Sequence, residues 1–254
     1  IKYCNLKGIK FLSTAFDLET IDLLKTYGIT LYKVPSGEIT NLPYLRKIAS
    51  VADEIVLSTG MCEMIEIEEA IEVLINEGAS KDKITVLHCN TEYPTPMEDV
   101  NLNAMNAIKE KIGVRVGYSD HTLGIEVPIA AVAMGAVLIE KHFTIDRTME
   151  GPDHKASLEP EELISMVRSI RNIEIALGSR KKKASFSELK NKDIARKSIH
   201  LAFDLEAGHV LEENDLEMKR PGNGISPMKM DMVVGKKLKT SLKEETLLTW
   251  EDFE

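Results

Sequence analysis

The sequence predicts an α/β protein: a (β/α)8 TIM barrel lacking its first strands, followed by a small β-rich domain. Three observations carry this reading. A short apolar, β-branched run ending in small polar residues recurs six times, with helical stretches between the copies. Strands that alternate with helices pair in parallel through right-handed crossovers, and near-continuous apolar strands are buried on both faces. No glycine-rich dinucleotide fingerprint follows any run, whereas polar residues close every one, and this favours the barrel over a doubly wound sheet.

The runs are 9–16 (IKFLSTAF), 30–38 (TLYKVPSGE), 54–61 (EIVLSTGM), 84–93 (ITVLHCNTEY), 114–122 (VRVGYSDHT) and 136–144 (AVLIEKHFT). Helices are predicted over 63–76 and 102–111; in the first, Ile67, Ala70, Ile71, Leu74 and Ile75 share one face. A closed barrel has eight strands. Six runs are present and the first starts near residue 9, so the reading expects a chain without the first strands. A helix over 161–177 closes the barrel, with Pro160 in its first turn, Gly178 just past its end, and Leu163, Met166, Val167, Ile170, Ile173 and Leu177 as its buried stripe. Residues 179–192 read as a polar linker. From residue 193 short β-like runs alternate with turn dipeptides, as in Ala207-Gly208 and Pro221-Gly222. The expected domains are therefore 1–178, the barrel, and 193–254, the β-rich module.

The 254 residues carry a net charge of −9, the wrong sign for a general nucleic-acid binder. The basic run Arg180–Lys183 reads as solvated linker. Three widely spaced cysteines suit neither a disulfide framework nor a zinc cluster. There is no apolar run of the ~20 residues that span a bilayer, and Ile1-Lys2-Tyr3-Cys4 lacks a signal-peptide layout. The expectation is a cytoplasmic protein with neither nucleic acid nor membrane as partner.

Chemistry-bearing residues cluster at the strand ends: Ser13 and Thr14; Lys33, Ser36 and Glu38; Ser58 and Thr59; Asn90, Thr91 and Tyr93; Ser119, Asp120 and His121; Glu140, Lys141 and His142. Hydroxyls and a lysine brought together suit a phosphate or carboxylate, although Ser-Thr-Gly after a strand also serves as a turn or helix cap. His121 and His142 end neighbouring runs at matching positions. They suit a metal site, with Asp120 and Glu140 as further ligands or supporting partners, and equally a structural role by packing or ion pairing. His88, inside an apolar run, reads as an interior histidine. Asp153, in Gly151-Pro152-Asp153-His154, reads either as a turn residue or as a contact to a hydroxylated or amide substrate.

Seven ordered motifs together resemble the sialic acid synthase family: KVPSGE (33–38), LSTGM (57–61), HCNTEYPTP (88–96), GYSDHT (117–122), EKHFT (140–144), GPDHKASLEP (151–160) and KRPGNGISP (219–227). The resemblance covers nearly the whole chain. It implies a TIM-barrel synthase domain followed by a SAF, or antifreeze-like, domain, and an enzyme that condenses phosphoenolpyruvate with an N-acetylated amino sugar. N-acetylmannosamine giving N-acetylneuraminate is the first choice, and a legionaminic acid synthase using a 2,4-diacetamido-trideoxy-mannose-type sugar the alternative. It implies that His121 and His142 hold Mn²⁺ or Mg²⁺. Thr14, Lys33, Ser36, Ser58 and Ser119 match groups that hold phosphoenolpyruvate, and Tyr93 and Asp153 match amino-sugar contacts. Lys33, Glu38, Ser119, His121 and His142 form the expected catalytic set. Arg220 matches an arginine that reaches into a partner subunit's barrel, which implies a domain-swapped homodimer. Some relatives have asparagine at the position of Thr91, beside Asn90, so the substrate contact there departs from the pattern. The family's opening Glu-Ile-Gly-x-Asn-His strand and the lysine–glutamine strand after it have no counterpart in these residues. A reading from another class is an inactive fragment, or a binding module acting through its β-rich end.

Overall fold

The computed structural model describes every residue from Ile1 to Glu254, and the chain divides into two compact units, Ile1–Gly178 and Ser179–Glu254. The first unit begins with a short exposed helix, α1 (Lys2–Lys7). In α2 (Leu18–Thr26) the Asp17 carboxylate caps the Thr20 amide at 2.6 Å, and Ile21 and Leu24 turn inward. Then follow β1 (Leu31–Val34), α3 (Leu42–Ala49), β2 (Glu54–Ser58), α4 (Met64–Asn76), β3 (Ile84–Cys89), α5 (Leu102–Ile112), β4 (Arg115–Asp120), α6 (Glu126–Ala133), β5 (Ile139–Lys141) and α7 (Pro160–Leu177).

The five strands form one curled, wholly parallel sheet in sequence order, the half-barrel form of the expected architecture. Helices α2 to α6 cover its outer face, and the main core lies between, built from residues such as Tyr32, Leu57, Leu74, Ile84, Val86 and Met105. Helix α4 shows how sequence makes this packing. Glu63 and Glu66 form a reciprocal capping box, and Ile67, Ala70, Ile71 and Leu74 recur at the spacing that keeps one face on the sheet. Ile75, placed on that face by the periodicity, is 37% exposed.

Three expectations are corrected. Residues 9–16 are not a strand. The backbone amides of residues 10–16 join no ladder, and Leu12 and Phe16 are exposed. An apolar run becomes a strand only when a neighbour accepts its backbone groups, and β1 pairs with β2 alone. The stripe of α7 is narrower than expected: Met166 and Ile170 are buried, but Val167 and Leu177 are exposed. Residues 179–192 are not wholly linker, because α8 (Phe186–Ala195) starts there on a Ser185–Glu188 capping box.

In the second unit, β6 (Ser198–Leu201) and β7 (Leu216–Lys219) pair antiparallel, single bridges such as Val210↔Lys237 and Leu238↔Phe253 extend the β texture, and α9 (Met230–Val233) completes it. Ile199, Leu201, Leu211, Ile225, Val233, Leu238, Leu248 and Phe253 make its separate core. No helix of the protein is long and apolar enough to cross a membrane.

Gly117 is fixed by space. A Cβ there would lie 2.3 Å from the Leu138 carbonyl oxygen and 2.6 Å from Leu87 Cδ2. Gly117→Ala is expected to destabilise the first unit by about 1–3 kcal/mol, read as a lower urea midpoint; an unchanged midpoint would refute this packing.

Candidate active site

Side chains alternate between the faces of a strand, and that rule sets up the site. In β1 Tyr32 and Val34 point into the core, so Lys33 points to the opposite face. In β4 and β5 the register pairs Ser119 with Glu140 and Asp120 with Lys141. Ser119 and Glu140 face inward with Lys33. There the strand ends enclose a cavity of about 270 Å³, whose walls include Lys33, Ser36, Ser58, Ser119, His121 and His142.

Glu140 is the hub. Its Oε1 accepts from the Ser119 hydroxyl at 2.7 Å and pairs with the Lys33 ammonium, tying β1 to β4 and β5. Ser36 accepts the Gly60 amide at 2.9 Å. Gly60 is obligatory at this crossing, since a Cβ would meet Thr91 Cγ2 at 2.5 Å. The Ser58 hydroxyl lines the same cavity, is 2% exposed, and has no hydrogen-bond partner. A buried, unpartnered hydroxyl is costly in a folded protein, and a ligand oxygen in the cavity would satisfy it.

The two imidazoles close one side. The Asn90 carbonyl accepts from His121 Nδ1 at 2.6 Å, so the proton sits on Nδ1 and the Nε2 lone pair is left free. Burial pushes the His121 pKa below the ordinary histidine value, which keeps the ring neutral. His142 stands nearly perpendicular to it, at 85° with ring centroids 5.2 Å apart, and Tyr93 stacks on His121 at 3.9 Å. Two converging imidazoles, with the Nε2 lone pair of His121 free, fit a divalent cation that takes its other ligands from water or substrate. No cluster of three or more His, Cys, Asp and Glu side chains completes a protein cage. This donor set suits Mn²⁺ better than Mg²⁺, which prefers a shell of oxygens.

Of the residues expected at the site, Lys33, Ser36, Ser58, Thr91, Tyr93, Ser119, His121 and His142 line this one cavity. Asp153 stands near it, with Oδ2 3.6 Å from His142 Nδ1 and its side chain 53% exposed. The other expected residues do not join the lining. Glu38 belongs to the single 3-10 turn Ser36–Glu38, which rotates it away from Ser36, and its carboxylate accepts from Asn41 instead. Asn90 contributes its backbone carbonyl, while its side chain caps the Glu92 amide. Thr14 lies in the unpaired 9–16 segment, from which Phe16 reaches the cavity. Arg220 is in the second unit, where its Nε donates to the Ala195 carbonyl. Asp120 is no metal ligand, because it is ion-paired to Lys141 on the outer face. His88 is the interior histidine expected, hydrogen-bonded to the Val100 carbonyl at 3.0 Å. Phe16, Pro35, Gly37, Met61 and Cys89 also belong to the lining, and the sequence reading gives none of them a place in the site. Nothing in the sequence marks Cys89; Glu140, expected as a further ligand or a supporting partner, lines the cavity beside Ser119.

The NeuB family model matches residues 1–182, and the SAF domain model matches residues 196–254. The chain belongs to the NeuB family. Among its relatives, this NeuB chain is 53% identical over 247 residues to N,N'-diacetyllegionaminic acid synthase of Campylobacter jejuni, covering 97% of this chain and 73% of that one. It is 46% identical over 252 residues to the enzyme of the same name from Legionella pneumophila, covering 98% and 71%. Among solved structures, an N-acetylneuraminic acid synthetase from Leptospira borgpetersenii, in complex with citrate, superposes with a TM-score of 0.70 at 36% identity, covering 75% of this chain and 66% of that one.

Histidine NMR tests the electrostatics. The His121 ring is expected to titrate below the ordinary value of about 6.5, with its Nδ1 proton retained at neutral pH. A titration midpoint at or above that value would contradict the buried, neutral imidazole.

Proposed function

We propose that this site condenses phosphoenolpyruvate with an N-acetylated amino sugar to give a nine-carbon 2-keto acid and phosphate. The observation that carries the reading is the unpartnered, buried Ser58 hydroxyl in a cavity shared with the Lys33 ammonium. A donor without a partner beside a fixed cation suits an anionic ligand. Ser36, Thr91 and Ser119 supply further polar groups on the same wall.

The chemistry is an aldol-like addition. C3 of phosphoenolpyruvate forms a bond to the aldehyde carbon of the open-chain sugar. Water adds to C2, and the resulting tetrahedral carbon expels phosphate by cleavage of its C–O bond. Lys33, held by Glu140, keeps positive charge beside the phosphate and carboxylate, so that part of the barrier is met by prior positioning. The Glu140 carboxylate orients both Lys33 and the Ser119 hydroxyl. Tyr93, in the lining, and Asp153, beside His142, would contact the amino sugar, as the family resemblance implies. His121 and His142 would hold the divalent ion, with Mn²⁺ favoured, which when bound supplies Lewis acidity toward an oxygen on which negative charge develops. Thr14 and Glu38 lie outside the cavity lining and are assigned no step. Arg220 would be supplied by the second unit of a partner chain in a domain-swapped homodimer, as the family resemblance implies.

The sugar is better read as the 2,4-diacetamido-trideoxy-mannose type than as N-acetylmannosamine. Similarity to the diacetyllegionaminic acid synthases, at 53% and 46% identity, exceeds the 36% to the N-acetylneuraminic acid synthetase. This reverses the order of preference reached from motifs alone.

Incubation with phosphoenolpyruvate, Mn²⁺ and each sugar, followed by mass measurement of the product, is expected to yield diacetyllegionaminate in preference to N-acetylneuraminate. The opposite preference overturns the sugar assignment, and absence of both products overturns the reaction. His121→Ala and His142→Ala are each expected to abolish metal-dependent turnover; near-normal activity in both would sink the metal assignment.

A further inference from the structure

Immediately behind the cavity lies a second polar pair, consecutive in register with Ser119 and Glu140 but on the opposite face of the sheet. Asp120 and Lys141 face each other across β4 and β5 with side chains 0% and 3% exposed. The Lys141 ammonium donates both to Asp120 Oδ2 and to the Thr122 carbonyl, and Asp120 Oδ1 accepts the Thr122 amide at 3.0 Å. The lysine therefore grips the chain on both sides of His121, whose neighbours are Asp120 and Thr122. The lysine itself is followed directly by His142.

A buried ion pair adds little net stability, because desolvating two charges offsets much of their attraction, and an apolar pair of similar volume often does as well. Its bonds are directional, however, and here all of them end on residues adjacent to the two imidazoles. We propose that Asp120 and Lys141 are positioning residues, which lock the ends of β4 and β5 so that His121 and His142 converge on one point of the cavity. This deepens the proposed function and rests on its reading of the two histidines as ligands of a divalent ion.

The test uses the full chain carrying Asp120→Asn together with Lys141→Met, which removes both charges and leaves neither uncompensated. Histidine NMR on metal-free protein is expected to show the His121 Nδ1 proton exchanging roughly tenfold faster, and Mn²⁺ affinity by calorimetry is expected to fall by a similar factor, the scale typical of supporting residues around metal ligands. His200 and His209, in the second unit, serve as internal controls and should not change. A purely structural role would lower the melting temperature and leave both local readouts untouched. Should the double variant fail to fold by circular dichroism, the isosteric Asp120→Asn alone decides, with faster His121 exchange again expected. A folded variant with wild-type imidazole exchange and wild-type Mn²⁺ affinity overturns the proposal. Absence of Mn²⁺ binding by the unsubstituted chain would instead overturn the metal reading, and the exchange measurement would still judge the positioning.

Discussion

At the ends of β4 and β5 two polar pairs follow one another in register, Ser119 with Glu140 and then Asp120 with Lys141. Because side chains alternate, the first pair faces the cavity and the second faces the helices. The outer pair is sealed from water and can be satisfied only by itself and the Thr122 backbone. A slip of β5 by one residue would put Lys141 into the cavity, bury Glu140 among apolar helices and leave Asp120 buried without its partner. Every other feature of the site follows from this register: Glu140 reaches Lys33 on β1, and the residues after each outer partner are the two imidazoles.

The charges in the cavity are arranged with economy. Lys33 is ion-paired with Glu140, so neither is a lone charge in a confined space, and the remaining ammonium protons are available to a ligand. The carboxylate also holds the Ser119 hydroxyl, so the group that balances the lysine also aims a neighbour. His121 is kept neutral by burial, with its tautomer set by the Asn90 carbonyl. What the walls leave unmet is the Ser58 hydroxyl and the Nε2 lone pair of His121. These two loose ends mark where a ligand belongs.

Much of this was legible in the residues. Five of the six predicted strand runs contain a strand, because β-branched runs bounded by polar ends suit a sheet with a core face and a polar end. The run 9–16 misled because composition reports apolarity and not the presence of a hydrogen-bonding neighbour. Glu38 misled because its motif is right but the 3-10 turn after Ser36 sends the carboxylate to Asn41. Asn90 was foreseen as a side-chain contact and acts through its carbonyl, which no side-chain pattern reveals. The Asp120–Lys141 pair was visible only as two charges among strand-end residues; the register that makes it a buried partnership exists only in three dimensions. The sequence shows only a polar linker over 179–192, because α8 has no buried residues and no apolar stripe announces it.

The proposed chemistry depends most heavily on the cavity being an anion site organised by Lys33. Calorimetric titration of the chain with phosphoenolpyruvate measures this directly. Saturable binding is expected, weakened at least tenfold, or about 1.4 kcal/mol, by Lys33→Met, since a charge-assisted contact to the ligand is lost. Equal affinity in the two proteins would contradict an anion site organised by Lys33.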